Sequence, residues 1–309
     1  MMNITVLIPT YRRPNELARC LEALEQQTRP ADEVLVVVRD TDAETQLLFE
    51  QFNFVSLPLR TVTTSIPGQV AALNLGLDTA TGDIIAITDD DAAPRTDWLA
   101  RIEANFLSDR HIAGVGGRDW VYHGTTLEDG AYETVGRVQW FGRTIGNHHL
   151  GVGQPREVDF LKGANMSYRR AAIDRLRFDP YLRGTGAQVH NDMAFGLALR
   201  RSGGKLIYDP LVAVEHYPAQ RFDEDERKTF NKIAFLNLAH NETLTLLRHL
   251  PPVYRVVFLI WAILVGTKKT PGFVQGLRFL PKEGLFVIQR CVVALHGRWQ
   301  GWQTWRRSI

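Results

Sequence analysis

Short apolar runs alternate with amphipathic stretches through the first third of the chain. Ile4–Ile8, Val34–Val38, Leu59–Thr63, Ile84–Thr88 and Ile112–Gly116 are brief and rich in β-branched residues, the texture of strands buried on both faces of a parallel sheet. Between them the period changes. Pro14 suits the first turn of a helix, and Leu17, Cys20, Leu21 and Leu24 follow at helical spacing. Gln69–Thr79 and Asp97–Leu107 predict the next helices, the second with Thr96 as its N-cap. Strand–helix alternation predicts an α/β fold with an open, mostly parallel sheet. Ligands of such sheets sit outside the carboxyl ends of the strands.

Further along, residues 119–157 read as loops or an inserted lid, rich in aromatics, Gly and His. Phe160–Arg169 and Leu206–His216 predict two more strands, with a helix from Asn191 to Arg201 between them. After Arg221 helical periods dominate, which divides the chain into a body, 1–222, and a helical C-terminal extension, 223–309.

Charge sharpens that division. The net charge of +2 conceals twelve Lys/Arg against Glu242 and Glu283 in residues 228–309, so the preceding 227 residues carry a net −8. The composition, 45% hydrophobic and 23% charged over 309 residues, excludes disorder and a disulfide-stapled miniprotein. Both cysteines, Cys20 and Cys291, lack metal-ligand spacing. Met1-Met2-Asn3 runs straight into the first strand with no signal-peptide pattern, so a cytoplasmic, reducing location is expected.

Candidate chemistry lies at the strand ends. Asp89, Asp90 and Asp91 follow the fourth apolar run. Adjacent carboxylates repel one another unless a cation joins them, and a hard divalent ion with oxygen ligands would do so. The plain alternative is a solvated acidic turn. Around this triplet, strand one ends in Pro9-Thr10-Tyr11-Arg12-Arg13 and strand two in Val38-Arg39-Asp40. Gly68–Gly76 reads Gly-Gln-Val-Ala-Ala-Leu-Asn-Leu-Gly, and Gly163-Ala164-Asn165-Met166, Asn191-Asp192 and Val214-Glu215-His216 follow in order.

Over residues 3–220 this order resembles family-2 glycosyltransferases. The resemblance implies the A-type glycosyltransferase (Rossmann-like) fold, a nucleoside-diphosphate sugar as donor, a divalent metal (Mg²⁺ or Mn²⁺) and inversion at the anomeric carbon. It implies Asp89 and Asp91 as metal acids, with Asp90 between them, and His216 as a metal or phosphate contact. Thr10, Tyr11, Arg13 and Asp40 would border the nucleotide, Asn74 would lie under it, and Asn165 belongs to the Gly-x-Asn strand. Asp192 would be the general base. The chain departs from the family at strand two, where Val38 and Arg39 replace two acids; Arg39 then contacts phosphate or nucleobase, or pairs with a neighbouring acid. Leu73 and Asn191 replace an Arg and an acid of the pattern.

Read without the resemblance, Asp192 is an acid favoured in a first helical turn behind an Asn191 cap, where the helix dipole lowers its pKa. His148 and His149 read as surface-loop residues, with contact to the acceptor as the alternative. Gly114-Val-Gly-Gly and Gly184-Thr-Gly lack the full dinucleotide fingerprint.

In the tail the longest uncharged run, Val256–Thr267, is twelve residues, well short of the roughly 20 a spanning helix needs. Leu285, Ile288, Val292, Leu295, Trp299 and Trp302 form one helical seam, with Arg290 opposite. A basic, Trp-bearing amphipathic tail predicts docking of residues 250–309 on the cytoplasmic face of a membrane, where a lipid-linked saccharide would be the acceptor. The alternative is that the seam packs on the body. The acidic body argues against nucleic acid as a partner. Two other functions fit less of the pattern: a nucleotidyltransferase, whose Gly-rich loop after strand one is absent here, and a catalytically degenerate sugar-nucleotide-binding scaffold.

Overall fold

The computed structural model describes residues 1–51, 56–224 and 229–308; Lys228 of the basic tail lies outside them. Strands β1 (Ile4–Thr10), β2 (Glu33–Arg39), β3 (Leu59–Thr64) and β4 (Ile84–Ile87) alternate with helices α1 (Pro14–Glu25), α2 (Ala43–Gln51) and α3 (Gln69–Thr79). Next come β5 (Ala92–Pro94), α4 (Trp98–Ser108), the long β6 (Ile112–His123) and the short β7 (Thr126–Leu127), β8 (Arg137–Val138), β9 (Thr144–Ile145) and β10 (Arg156–Glu157). β11 (Met166–Arg169), α5 (Asn191–Arg201) and β12 (Lys205–His216) complete the body. The tail is α6 (Lys232–His249), α7 (Pro252–Leu264), α8 (Phe273–Glu283) and α9 (Leu285–Arg307).

The main sheet runs β10-β12-β6-β11-β4-β1-β2-β3, with β5 on β12 and β7 on β6. β3, β2, β1 and β4 are mutually parallel. β11 reverses direction between β4 and β6, and β12 returns parallel to β6. Every residue of β1 is buried, as a strand covered on both faces requires. One face packs Leu17, Cys20 and Leu21 of α1 and Trp98, Leu99 and Ile102 of α4. The other packs Leu73 and Leu77 of α3 and Phe195 and Leu199 of α5. This is the expected α/β architecture, and it aims the ends of β1, β2 and β4 at one edge.

Five local expectations change. The strand predicted over Ile84–Thr88 stops at Ile87, and the one predicted over Ile112–Gly116 continues to His123 along β12. Of Phe160–Arg169 only Met166–Arg169 is strand, because Ala164 takes φ 80°, which a strand does not allow. Asp97, not Thr96, precedes α4. Asn191 opens α5 instead of capping it, and its side chain donates to the Ala187 carbonyl at 2.8 Å.

In the tail, α6 is buried over most of its second half. Leu246, Leu247 and Leu250 join Phe258 and Ala262 of α7 and Met193 of α5, with Trp261, Trp302 and Trp305 packed alongside. Helix α9 does not pack on the body mainly through the predicted seam, which is the alternative reading of it. Its buried face is Val287, Cys291, Ala294, Arg298 and Gly301, whereas Leu285, Ile288, Val292 and Trp299 are exposed. The reason is close approach: a Cβ on Gly297 would sit 2.5 Å from the Leu236 carbonyl oxygen, and one on Gly301 2.6 Å from that of His240. The small residues of α9, not the large ones, face α6. Among the described residues, no helix is long and apolar enough to cross a membrane.

Candidate active site

The carboxyl ends of β1, β2 and β4 open into a cavity of about 350 Å³, within the usual range for a small-molecule site. β1 delivers Thr10, then the chain turns through Arg12 at φ 57°. Asp42, buried, holds this turn by accepting the Arg12 amide at 2.6 Å. Arg13 then reaches across to the acids beyond β4. Its guanidinium meets Asp90 Oδ1 at 2.8 Å and Asp91 Oδ2 at 3.0 Å, and Thr10 Oγ1 donates to Asp90 Oδ2 at 2.7 Å. Asp90 is fully buried and does not line the cavity; it anchors Arg13 and Thr10 beneath it.

Asp89 and Asp91 do line the cavity, together with His216 from the end of β12. One ligand atom from each lies within 4.8 Å of the others. Gln69 donates to Asp89 Oδ1 at 3.1 Å, and the Ala219 amide to Asp91 Oδ2 at 2.9 Å. Asp91 Oδ1 is buried, accepts no hydrogen bond and stands 3.3 Å from His216 Nε2. Burial and the charge of Asp91 raise the Asp89 pKa. Burial alone would also raise Asp91, but His216, Arg13 and the Ala219 amide outweigh it and leave it ionised below the ordinary range. Two carboxylate oxygens and an imidazole nitrogen, one oxygen left without a donor, fit a hard divalent cation.

At the β2 end, Arg39 lies 4.1 Å above the Tyr11 ring and pairs with Asp223 at 3.3 Å. Thr64, Ile66 and Phe222 complete that wall. Three sequence candidates stand elsewhere. Asp40 is exposed and off the cavity. Asn74 exchanges hydrogen bonds with the Phe178 backbone, at 2.9 and 2.7 Å. Asn165 is buried, takes the Trp98 indole proton and donates to the Val212 carbonyl. Asn74 and Asn165 hold the scaffold.

The opposite end of the cavity is lined by Val121, Glu128, His149 and Lys162. Lys162 pairs with the buried Asp119 at 3.1 Å, and His149 with Glu128 at 3.2 Å. His148 turns inward to the Phe160 carbonyl, and burial lowers its pKa to about 4. Asp192, half-buried at the start of α5, does not itself line the cavity. It accepts the Gly163 amide at 3.1 Å, directly beside Lys162. Its pKa is raised, not lowered, because burial outweighs the Gly163 and Met193 amides and the Lys162 charge. Lys162, Asp119, Glu128 and Asp42 carried no motif, so sequence patterns gave no reason to single them out. Only the fold brings them to one edge.

The cavity thus joins an acidic strand-end cluster to a wall of Arg39, Tyr11 and Phe222 at the edge of an open α/β sheet. The glycosyl transferase family 2 model matches residues 5–177, and the chain belongs to that family. Glycosyltransferase AglE of Haloferax volcanii is 33% identical over 101 residues, 32% of this chain and 33% of its own, so the chain spans only a third of that relative. The glucosyl-dolichyl phosphate glucuronosyltransferase of the same organism is 24% identical over 227 residues, 70% of this chain and 69% of its own. The mannosyltransferase PcManGT of Pyrobaculum calidifontis, solved with GDP-Man and Mn²⁺, superposes with a TM-score of 0.58 at 18% identity, over 99% of this chain and 84% of that one. S. aureus TarS 1-349 with UDP-GlcNAc gives 0.61 at 17% identity, over 99% and 90%. The structural likenesses establish the A-type fold.

Proposed function

We propose that this glycosyltransferase moves a sugar from a nucleoside-diphosphate sugar to an acceptor hydroxyl with inversion, residues 1–222 forming the catalytic body. One observation carries the reading: Asp89, Asp91 and His216 converge in a cavity whose far wall is Tyr11 and Arg39. Asp89, Asp91 and His216 would hold Mg²⁺ or Mn²⁺. When bound, the cation supplies Lewis-acid neutralisation of the charge gathered by the leaving diphosphate. Arg13 and the Ala219 amide hold Asp91 through its Oδ2. Tyr11 and Arg39 would bind the nucleotide, Arg39 offering hydrogen bonds and Asp223 an acceptor beside it.

Asp192 is the general base of this reading. Inverting displacement needs a proton acceptor on the sugar face opposite the leaving group, commonly worth about 10²–10⁴-fold in rate. The Gly163 amide holds the carboxylate beside Lys162, whose side chain lines the proposed acceptor end. The hydrogen-bonding side chains there, Glu128, His149 and Lys162, suit a hydroxyl-rich acceptor. We infer a saccharide acceptor, lipid-linked, presented at the cytoplasmic face of a membrane to which residues 250–309 attach. A catalytically silent sugar-nucleotide scaffold is favoured by one observation, that Asp192 stands off the cavity wall.

Nucleoside diphosphate release by the purified protein decides between the two. The assay supplies membrane-lipid extract, UDP-, GDP- and dTDP-sugars, and Mn²⁺, Mg²⁺ or EDTA. Release from one donor that needs the cation and is lost in Asp192→Asn supports transfer. Nucleotide binding without release from any donor supports the scaffold, and absence of both overturns the nucleotide-sugar reading.

A further inference from the structure

The tail presents its apolar surface outward. More than half of the exposed large apolar side chains among the described residues fall between Val253 and Trp299. On α8, Phe273, Val274 and Leu277 are 55%, 53% and 71% exposed. The opposite face of α8 is fixed: a Cβ on Gly276 would lie 2.6 Å from Cys291 Sγ of α9, and one on Gly272 2.5 Å from the Ile263 carbonyl oxygen of α7. The helix is thus seated between α7 and α9 with its bulky residues pointing away from both. Ile260 and Ile263 on α7 and Ile288 and Val292 on α9 carry the exposed apolar surface to either side.

Charge says what covers this face. The exposed charged side chains between residues 250 and 299 are Lys268, Lys269, Arg278 and Lys282, all positive. The one acid of α8, Glu283, is taken up by Arg290 at 2.9 Å. A second copy of the chain docked here by two-fold symmetry would bring the same four cations against themselves with no acid between them. An apolar face rimmed by cations instead matches a bilayer surface of anionic headgroups over acyl chains. The length of α8, eleven residues or roughly 16 Å, suits a helix lying in the plane of the interface, and Trp299 stacks on Trp302 at 4.9 Å at the edge of the same region.

We propose that α8, flanked by the outward sides of α7 and α9, is a docking face for anionic bilayers, with Phe273, Val274 and Leu277 inserted between headgroups that Lys268, Arg278 and Lys282 contact. This rests on the reading of residues 250–309 as the membrane-attaching part, and adds which element inserts and which lipid charge it selects.

The full chain is tested by flotation with phosphatidylcholine vesicles and with phosphatidylcholine vesicles containing phosphatidylglycerol, at low and high salt. Binding to the anionic vesicles, weakened by salt and weak on the neutral ones, is expected. Arg278→Gln with Lys282→Gln lowers anionic partitioning about 30-fold, at about 1 kcal/mol for each cation near the surface. Leu277→Glu lowers it at least about tenfold, as an unburied Leu implies. All these positions are exposed, and unchanged thermal unfolding of the variants shows that the fold is intact. Equal binding to both vesicle types overturns the anionic selection and leaves attachment standing. Absence of binding to either overturns both. A stable dimer by light scattering that Leu277→Glu dissolves assigns the face to a second copy and overturns the proposal. Nucleotide binding measured on the same preparation reports separately on the catalytic reading.

Discussion

Replacing Arg13 by Met removes the guanidinium that holds two of the three central carboxylates while keeping an apolar stem of similar length. The two acids are affected unequally. Asp91 retains the Ala219 amide at 2.9 Å and His216 at 3.3 Å. Asp90 retains only the Thr10 hydroxyl among its bonded partners, and it is fully buried. Breaking a buried ion pair from one side costs about 3–5 kcal/mol. Arg13 is 19% exposed, so the lower end applies, about 3 kcal/mol. At roughly 2–4 °C for each kcal/mol in a large domain, Tm falls by about 6–12 °C. Burial already holds the Asp90 pKa above its ordinary 3.8. A carboxyl raised in this way favours the folded chain fully below 3.8 and loses that contribution as pH climbs through its folded value. Loss of Arg13 raises it further, so the deficit relative to the unaltered chain is smaller at pH 5 than at pH 8. Arg13→Met combined with Asp90→Asn removes both charges and recovers most of the loss. Thermal unfolding by circular dichroism at the two pH values checks this. A drop under about 2 °C at pH 8, or a double variant no more stable than the single one, refutes the reasoning.

Lys162→Met removes the cation beside Asp192, whose pKa burial has raised; the acid limb of the turnover–pH profile moves upward, and an unmoved limb excludes Asp192 as the titrating base. Arg39→Ala deletes the Tyr11 stack and the Asp223 pair. At about 1.5–3 kcal/mol for a hydrogen bond to a charged group, it weakens nucleoside diphosphate binding roughly 10- to 100-fold by calorimetry; an unchanged Kd removes Arg39 from the nucleotide site. Gly297→Val forces a side chain toward the Leu236 carbonyl and destabilises the chain by about 1–3 kcal/mol; unfolding at the wild-type midpoint refutes the close α6–α9 approach.

What the sequence made legible was what depends on neighbours in the chain. The parallel strands announce themselves as β-branched runs, and Asp89 and Asp91 stand out because a strand end precedes them. The ion pairs that shape the site join residues far apart, Arg13 to Asp90, Lys162 to Asp119 and Arg39 to Asp223, and no local period records them. Asn74 and Asn165 had the right spacing but the wrong surroundings: each meets a backbone group before it reaches the cavity. The tail shows a different limit. Hydrophobic periodicity weighs side chains by apolar area, so it marked the seam of Leu285, Ile288, Val292 and Trp299 and left open whether a membrane or the body covers it. Two helices that cross closely select for absence of bulk, and Ala294, Gly297 and Gly301 supply it on the other side. Once that face is taken, the large apolar residues have nowhere to go but outward. The seam of α9 therefore marks its outward face, and α8, tied to the same helix through Gly276, presents Phe273, Val274 and Leu277 outward for the same reason.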